Sequence, residues 1–131
     1  FFYIEEMLKE FEFEFKKKHS ETKRLAQSKK LLSKNDGKVP VIIEKYKNDS
    51  TSHNLPTLSQ SKFLFPVDFT YLDFLQIIRC KLSLSEKDSI FCFFKNGRLC
   101  QGTKTLKDIY NEDKDSDGFL YCSYTFENTQ G

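Results

Sequence analysis

The amino-acid sequence predicts a small α+β roll in which one long helix packs across one face of a four-stranded sheet and the roll is covered on that face alone. Apolar residues at helical spacing between Tyr71 and Leu82 indicate the helix. Runs of β-branched and aromatic residues before and after it indicate the strands. The chain has 131 residues and no internal repeat, which fits one domain of about 100 to 200 residues. A second full-sized domain is therefore excluded.

The first residues carry two competing patterns. Ile4, Leu8, Phe11 and Phe15 share one helical stripe, whereas residues 11–15 alternate as in a strand. We interpret this segment as a helix. The chain begins with Phe rather than Met, which indicates a processed product or an expressed fragment.

A basic segment follows. Residues 15–38 contain nine Lys or Arg against Glu21 and Asp36, whereas residues 39–131 are nearly neutral. Residues from Glu21 to Ser33 favour a helix, and the sequence Asn35-Asp-Gly37 is a stop signal for it. The charge indicates either docking to acidic partners or lipid headgroups, or simply a solvated helix face.

The strands are predicted at four places. The first is the β-branched run from Val39 to Tyr46, in which Pro40 must lie where no backbone donor is needed. The second is the short run from Lys62 to Pro66, and the polar loop 47–61 between them is expected to be mobile. The later strands are the apolar run Ile90–Phe94 and the alternating run Phe119–Phe126.

The long helix has a clear beginning. Thr70 and Asp73 form a capping box, in which the side chain of each residue bonds the backbone N–H of the other. Leu106, Ile109 and Tyr110 mark a second, short helix between the last two strands.

Composition excludes several classes of protein. A net charge of +2 does not indicate a nucleic-acid-binding protein. No run approaches the roughly 18 apolar residues of a membrane helix, and the start lacks the order of a signal peptide, so a membrane role would need an attached anchor. Four cysteines without C-x-x-C spacing favour a reduced, cytosolic chain.

Two features that could bind a metal or support catalysis are incomplete. Residues 113–118 copy the opening of a calcium loop, but the twelfth position holds Tyr124 instead of the required Glu, so we interpret them as an acidic turn. His19 and His53 lie far apart and away from any Cys, which gives no support to zinc or nucleophilic chemistry. We expect a protein that is not an enzyme and that needs no cofactor.

Five separated blocks carry a specific resemblance. They are Lys38–Lys45, Lys62–Pro66, Phe74–Arg79, Asp115–Tyr121 and Glu127–Gly131. In this order and spacing they resemble the autophagy ubiquitin-like modifiers, the GABA-receptor-associated-protein-like proteins that are conjugated to phosphatidylethanolamine. The resemblance runs from about Phe15 to Gly131.

The resemblance implies a ubiquitin-like β-grasp with two additional N-terminal helices. Residues 1–37 would form an N-terminal extension and basic helical segment, and residues 38–131 the ubiquitin-like domain with a flexible C-terminal tail. Gly131 would be activated by a ubiquitin-activating-type enzyme, passed to a conjugating-type enzyme as a thioester and joined to the amine of phosphatidylethanolamine. Glycine suits this reaction because it has no Cβ to crowd the carbonyl.

The resemblance also implies a two-pocket groove for receptors that carry an aromatic-x-x-aliphatic motif, which would add as a strand beside the second strand of the sheet. Lys38 and Lys81 would contact acidic residues that flank the motif. Two sets of residues would line the pockets: Gln27, Leu31, Pro40, Ile42, Lys62, Leu64 and Phe119 the aromatic one, and Phe63, Phe65, Pro66, Phe69, Phe74 and Ile77 the aliphatic one. The alternative is that these apolar residues are core; for Phe63, Leu64 and Phe65 an edge-strand position favours the groove.

The chain departs from the family pattern at three places. Gln130 replaces the usual bulky residue before the glycine, which bears on processing by a cysteine protease. The loop at Arg98–Gln101 lacks the usual Pro pair, and Ser20-Glu21 replaces a Pro-Phe. The chain ends at glycine, so a tail was removed or omitted, or none needs cleavage.

Two functions remain open at this point. One is a lipid-conjugated modifier in autophagosome formation, located in the cytoplasm and on autophagosomal or other organelle membranes such as a plastid. The other is a β-grasp protein-interaction module that is never conjugated.

Overall fold

The computed structural model of the chain describes residues 12–46, 55–95, 97 and 100–126. In chain order the described elements are α1 (Glu14–Lys18), α2 (Glu21–Lys34), β1 (Lys38–Lys45), β2 (Lys62–Pro66), α3 (Tyr71–Leu82), β3 (Ile90–Phe93), α4 (Leu106–Asp113) and β4 (Leu120–Phe126).

The four described strands form one mixed sheet in the order β2-β1-β4-β3. The central pair β1 and β4 is parallel, and each outer strand is antiparallel to its neighbour. The crossover between β1 and β4 contains α3, as a parallel pair requires. This α+β arrangement is the predicted β-grasp.

Helix α3 packs on one side of the sheet, here called the front face. It begins at the predicted capping box, since Thr70 Oγ1 accepts from the Asp73 N–H at 3.2 Å and Asp73 accepts from the Thr70 N–H at 3.0 Å. It ends at Ser83, whose left-handed backbone closes the last turn. Phe74 and Ile78 are fully buried against the strands, so the predicted apolar stripe is confirmed as core.

The opposite side of the sheet, here called the back face, is covered by α1 and α2. A second apolar cluster joins Phe15 of α1 to Ile42 and Tyr121 of the sheet and to Phe119 just before β4, with Leu31 of α2 packed against it. The expectation from residue pattern alone, a roll covered on one face, is therefore wrong. The burial of the two central strands shows this directly: residues on both faces of β1 and β4 are buried, whereas a half-exposed strand would bury only every second residue.

The other predicted elements agree with the structure within one or two residues. Helix α2 ends at Lys34, and Gly37 takes the left-handed conformation (φ 77°) after it, as the stop signal requires. Of the predicted N-terminal stripe, Phe15 lies in the five-residue α1. Ile4, Leu8 and Phe11 lie outside the described residues, as do 47–54 of the loop predicted to be mobile.

Candidate functional site

Strand β2 forms one edge of the sheet. Within the described chain it pairs with β1 alone, in a register that places Phe65 opposite Val39 and Phe63 opposite Val41. An edge strand keeps a row of N–H and C=O groups unpaired, which can accept a further strand. The edge position predicted for Lys62–Pro66 is confirmed.

A groove of about 520 Å³ runs along this edge, between β2, α2 and α3. Its two charged side chains among the described residues are Lys62 and Lys81, and both are exposed. Lys81 Nζ lies 5.7 Å from the centre of the Phe63 ring. The described residues that line it are Leu31, Gln60, Lys62, Phe63, Leu64, Phe65, Pro66, Phe69, Ile77 and Lys81.

The structure brings most of the aliphatic set together in this groove. Phe63, Phe65, Pro66, Phe69 and Ile77 line it, whereas Phe74 has no exposed surface and lies beneath. The Phe65 ring stands edge-on to Phe74 with centroids 5.0 Å apart. Burial of Phe63 (8% exposed) and Phe65 (4% exposed) shows that groove wall and core share the same rings.

The aromatic set is divided between the groove and the layer below it. Leu31, Lys62 and Leu64 line the groove. Ile42 and Phe119 are fully buried in the back-face cluster, and Pro40 is buried in β1. A ligand can therefore reach the first three residues directly, while the others support them from below.

Gln27 lies just beyond the groove, in an adjoining cavity of about 570 Å³ that also reaches Lys62. Lys62 Nζ donates to Gln27 Oε1 at 3.0 Å. This bond spans α2 and β2 and closes the end of the groove. Gln27 is a neutral amide, so this hydrogen bond does not neutralise the Lys62 charge.

One predicted contact residue, Lys38, lies outside the groove, and one groove residue, Gln60, was not predicted. Lys38 is exposed at the start of β1, in register with Pro66 and outside the groove lining. Gln60 lines the groove and its Nε2 donates to the Lys62 carbonyl at 2.9 Å. The sequence held no signal for Gln60, since it is one polar residue in a polar loop.

Helix α2, which supplies Leu31 and Gln27, is fastened to β4 by a buried polar network. Asp117 is fully buried, and its carboxylate accepts from Arg24 Nη1 and from the Tyr121 hydroxyl, both at 2.5 Å. Burial, together with this carboxylate, raises the pKa of Tyr121. The Ser28 hydroxyl donates to the Asp117 carbonyl at 2.5 Å.

The carboxylates of the acidic turn thus have structural partners. Asp115 accepts from Lys16 Nζ at 2.8 Å and from the Asp117 N–H at 3.1 Å. Burial raises the pKa of Asp115, but these two bonds and the charges of Lys16 and Lys95 together outweigh it and hold that pKa below its ordinary value. Asp113 lies at the end of α4. The turn therefore ties α1 and α2 to the sheet.

The predicted conjugation residue, Gly131, lies outside the described residues, which end at Phe126. Among the described residues, no helix is long and apolar enough to cross a bilayer.

A β-grasp sheet with an edge-strand groove and helices on its back face defines a ubiquitin-like protein. The family model described as "Autophagy protein Atg8 ubiquitin like" matches residues 23–131. The chain belongs to the Atg8 family of autophagy-related ubiquitin-like proteins.

Individual relatives agree with the family match. Autophagy-related protein 8A of Oryza sativa subsp. indica is 38% identical over 117 residues, which cover 89% of this chain and 94% of that protein. Autophagy-related protein 8 of Mycosarcoma maydis is 40% identical over 118 residues, covering 89% and 95%. A crystal structure of Trypanosoma brucei ATG8 superposes with a TM-score of 0.80 at 28% identity, covering 92% of this chain and all of that one.

Proposed function

We propose that this protein is a modifier that is joined through Gly131 to phosphatidylethanolamine and then recruits receptors through the groove beside β2. Membership of a family of ubiquitin-like modifiers supports conjugation. The protein supplies the carboxylate, and the activating-type and conjugating-type enzymes supply the catalysis. A two-chain lipid would then anchor the domain to an autophagosomal or other organelle membrane, because each buried methylene contributes about 0.8 kcal/mol.

The proposal of receptor binding rests on the groove. Its edge strand offers backbone groups for an added strand, and the apolar walls on both sides of Leu64 offer two places for side chains. Lys62 and Lys81 give it a positive rim, which suits a motif preceded by acidic residues. The proposed ligand is an aromatic-x-x-aliphatic peptide with an acidic flank.

Conjugation is tested with purified activating and conjugating enzymes, ATP and vesicles that contain phosphatidylethanolamine. Wild type should gain a lipid adduct detectable by mass spectrometry, and Gly131→Ala should not. Gln130→Ala is the matched control, since it changes the neighbouring residue and leaves the glycine carboxylate intact. Equal product from wild type and Gly131→Ala would contradict the proposal.

The non-conjugated interaction module is the competing function, and the same reaction separates the two. A wild-type chain that binds the peptide yet forms no adduct with phosphatidylethanolamine, under conditions in which a known family member is conjugated, would favour the module. Processing of an extended precursor by a cysteine protease is tested separately by adding residues after Gly131.

A further inference from the structure

The register of β2 decides which of its backbone groups turn away from the sheet. At the end of the β1–β2 ladder the Ile43 N–H donates to the Ser61 carbonyl at 2.8 Å. Hydrogen-bonded and non-hydrogen-bonded pairs alternate along an antiparallel ladder. Every second residue from Ser61 onward therefore bonds β1, and the backbone groups of Lys62, Leu64 and Pro66 turn outward, towards the groove.

This outward edge is closed at its Pro66 end. Proline has no backbone N–H to donate. The Pro66 carbonyl accepts from the Phe69 N–H at 3.2 Å, so that group is already bonded within the chain. Along β2, the positions left for an added strand are Lys62 and Leu64.

The other end of the edge is occupied by Gln60. Its Nε2 donates to the Lys62 carbonyl at 2.9 Å, which is one of the outward acceptors that an added strand would use. The Lys62 side chain is engaged as well, since its Nζ donates to Gln27 Oε1 of α2 at 3.0 Å. In the free protein both the backbone and the side chain of Lys62 are therefore bonded by other parts of the same chain.

We propose that the Gln60 side chain is an internal competitor for the Lys62 carbonyl, which a peptide strand must displace in order to bind in the groove. The proposal rests on the receptor binding proposed above for the same groove. An incoming peptide exchanges a hydrogen bond at this carbonyl instead of adding one, because its backbone N–H takes the place of the Gln60 amide. Gln60 thus lowers the affinity for every strand and selects against a ligand that has proline, and hence no N–H, at this position.

The chemistry of the Gln60 amide suits a cap that can be displaced. Gln60 is exposed, so water can take over its donor once the ligand has replaced it. A neutral hydrogen bond that is exchanged for one with water contributes little net free energy. The cap therefore tunes the affinity of the groove and leaves it open to a ligand.

The test compares wild type with Gln60→Ala, Gln60→Glu and Ser59→Ala. Gln60→Ala removes the side chain beyond Cβ, whereas Gln60→Glu keeps its length and has no N–H to donate. Ser59→Ala changes an exposed neighbour and leaves the bond intact. The probe is an aromatic-x-x-aliphatic peptide with uncharged flanks, so that the new carboxylate in Gln60→Glu meets no charged flank. Calorimetry should show both Gln60 variants binding about 2- to 5-fold more tightly than wild type, the range of one net hydrogen bond, and Ser59→Ala binding as wild type does.

The cap is also measured without a ligand. The carbonyl-carbon resonance of Lys62 should shift in both Gln60 variants and stay in place in Ser59→Ala, because only the former lose the donor. In wild type, addition of the peptide should move the side-chain amide resonances of Gln60.

Each other outcome overturns the proposal in a recognisable way. Equal affinity in wild type and both Gln60 variants would mean that the Lys62 carbonyl accepts from Gln60 and the ligand together. Weaker binding in the variants would make Gln60 a ligand contact, and tighter binding in Gln60→Ala alone would assign the effect to bulk instead of the hydrogen bond. A wild type that binds no such peptide would contradict the receptor-binding function itself, so the two failures are distinguished.

Discussion

Arg24 and Asp117 are 93 positions apart in the sequence, yet the Arg24 guanidinium lies 2.5 Å from the fully buried Asp117 carboxylate. This pair joins α2 to the turn before β4 and so sets the position of Leu31 over the back face. Replacement of Arg24 by Ala would leave a buried carboxylate without its cation, which typically costs about 3 to 5 kcal/mol. We expect Arg24→Ala to lower the free energy of unfolding by that amount in urea, while Lys23→Ala, on the exposed side of α2, has little effect.

Three alanine variants distinguish residues that bind peptide in the groove from residues that stabilise the core. Leu64 is half-buried in the groove, so Leu64→Ala should weaken binding of an acidic aromatic-x-x-aliphatic peptide by about 1 to 3 kcal/mol. Ile78 is fully buried on the side of α3 that faces the sheet, so Ile78→Ala should lower stability by about 2 to 5 kcal/mol and leave peptide binding by the folded protein unchanged. Phe63→Ala should reduce both, since that ring serves groove and core.

Calorimetry of peptide binding and denaturant unfolding measure these variants side by side. A Leu64→Ala protein that unfolds as readily as Ile78→Ala and binds peptide normally would show that Leu64 is core and that the groove is assigned wrongly.

Stability at high pH depends on Tyr124. Burial raises the pKa of Tyr124 from 10.0 to about 12, and the hydroxyl accepts from the Leu58 N–H and donates to the Pro56 carbonyl, both at 3.1 Å. Because the folded-state pKa exceeds the unfolded one, this stabilisation is complete below about pH 10 and is lost as the pH rises towards 12. Tyr124→Phe should make the loss of stability between pH 10 and 12 less steep, as followed by urea unfolding at each pH; a part of the loss should remain, because burial also raises the pKa of Tyr121. An unchanged alkaline profile in that variant would assign the loss to another group.

The salt dependence of vesicle binding tests whether the basic segment, residues 15–38, docks on anionic lipid. Lys23 and Lys30 are exposed on α2, whereas Lys16 already pairs with Asp115 at 2.8 Å. If the segment docks on anionic lipid, binding to vesicles containing phosphatidylserine should weaken from 0.05 to 0.5 M salt, because exposed charges are screened over about 10 Å at 0.1 M. Lys23→Gln/Lys30→Gln should bind more weakly than wild type, and Lys16→Gln should change binding less. Salt-independent association would leave the segment as a solvated helix face.

The sequence by itself determined the elements whose signals are local. Thr70 and Asp73 cap α3 from three residues apart, and Gly37 takes the left-handed conformation in the turn between α2 and β1. Apolar spacing likewise identified α3, because side chains three or four positions apart on a helix share a face whatever the rest of the chain does. The short apolar run Lys62–Pro66 identified β2 in the same local way. The resemblance added the family, which the comparisons confirm.

Only the tertiary structure decided which of the predicted site residues a ligand can reach. Ile42, Phe74 and Phe119 are fully buried and support the groove from below, and Gln60 enters it from the loop before β2. Arg24 bonds Asp117, which is 93 positions away in the sequence. Glu44 bonds the beginning of α1, about 30 positions away. Such contacts depend on how sheet and helices are brought together, and no local pattern of residues records that distance.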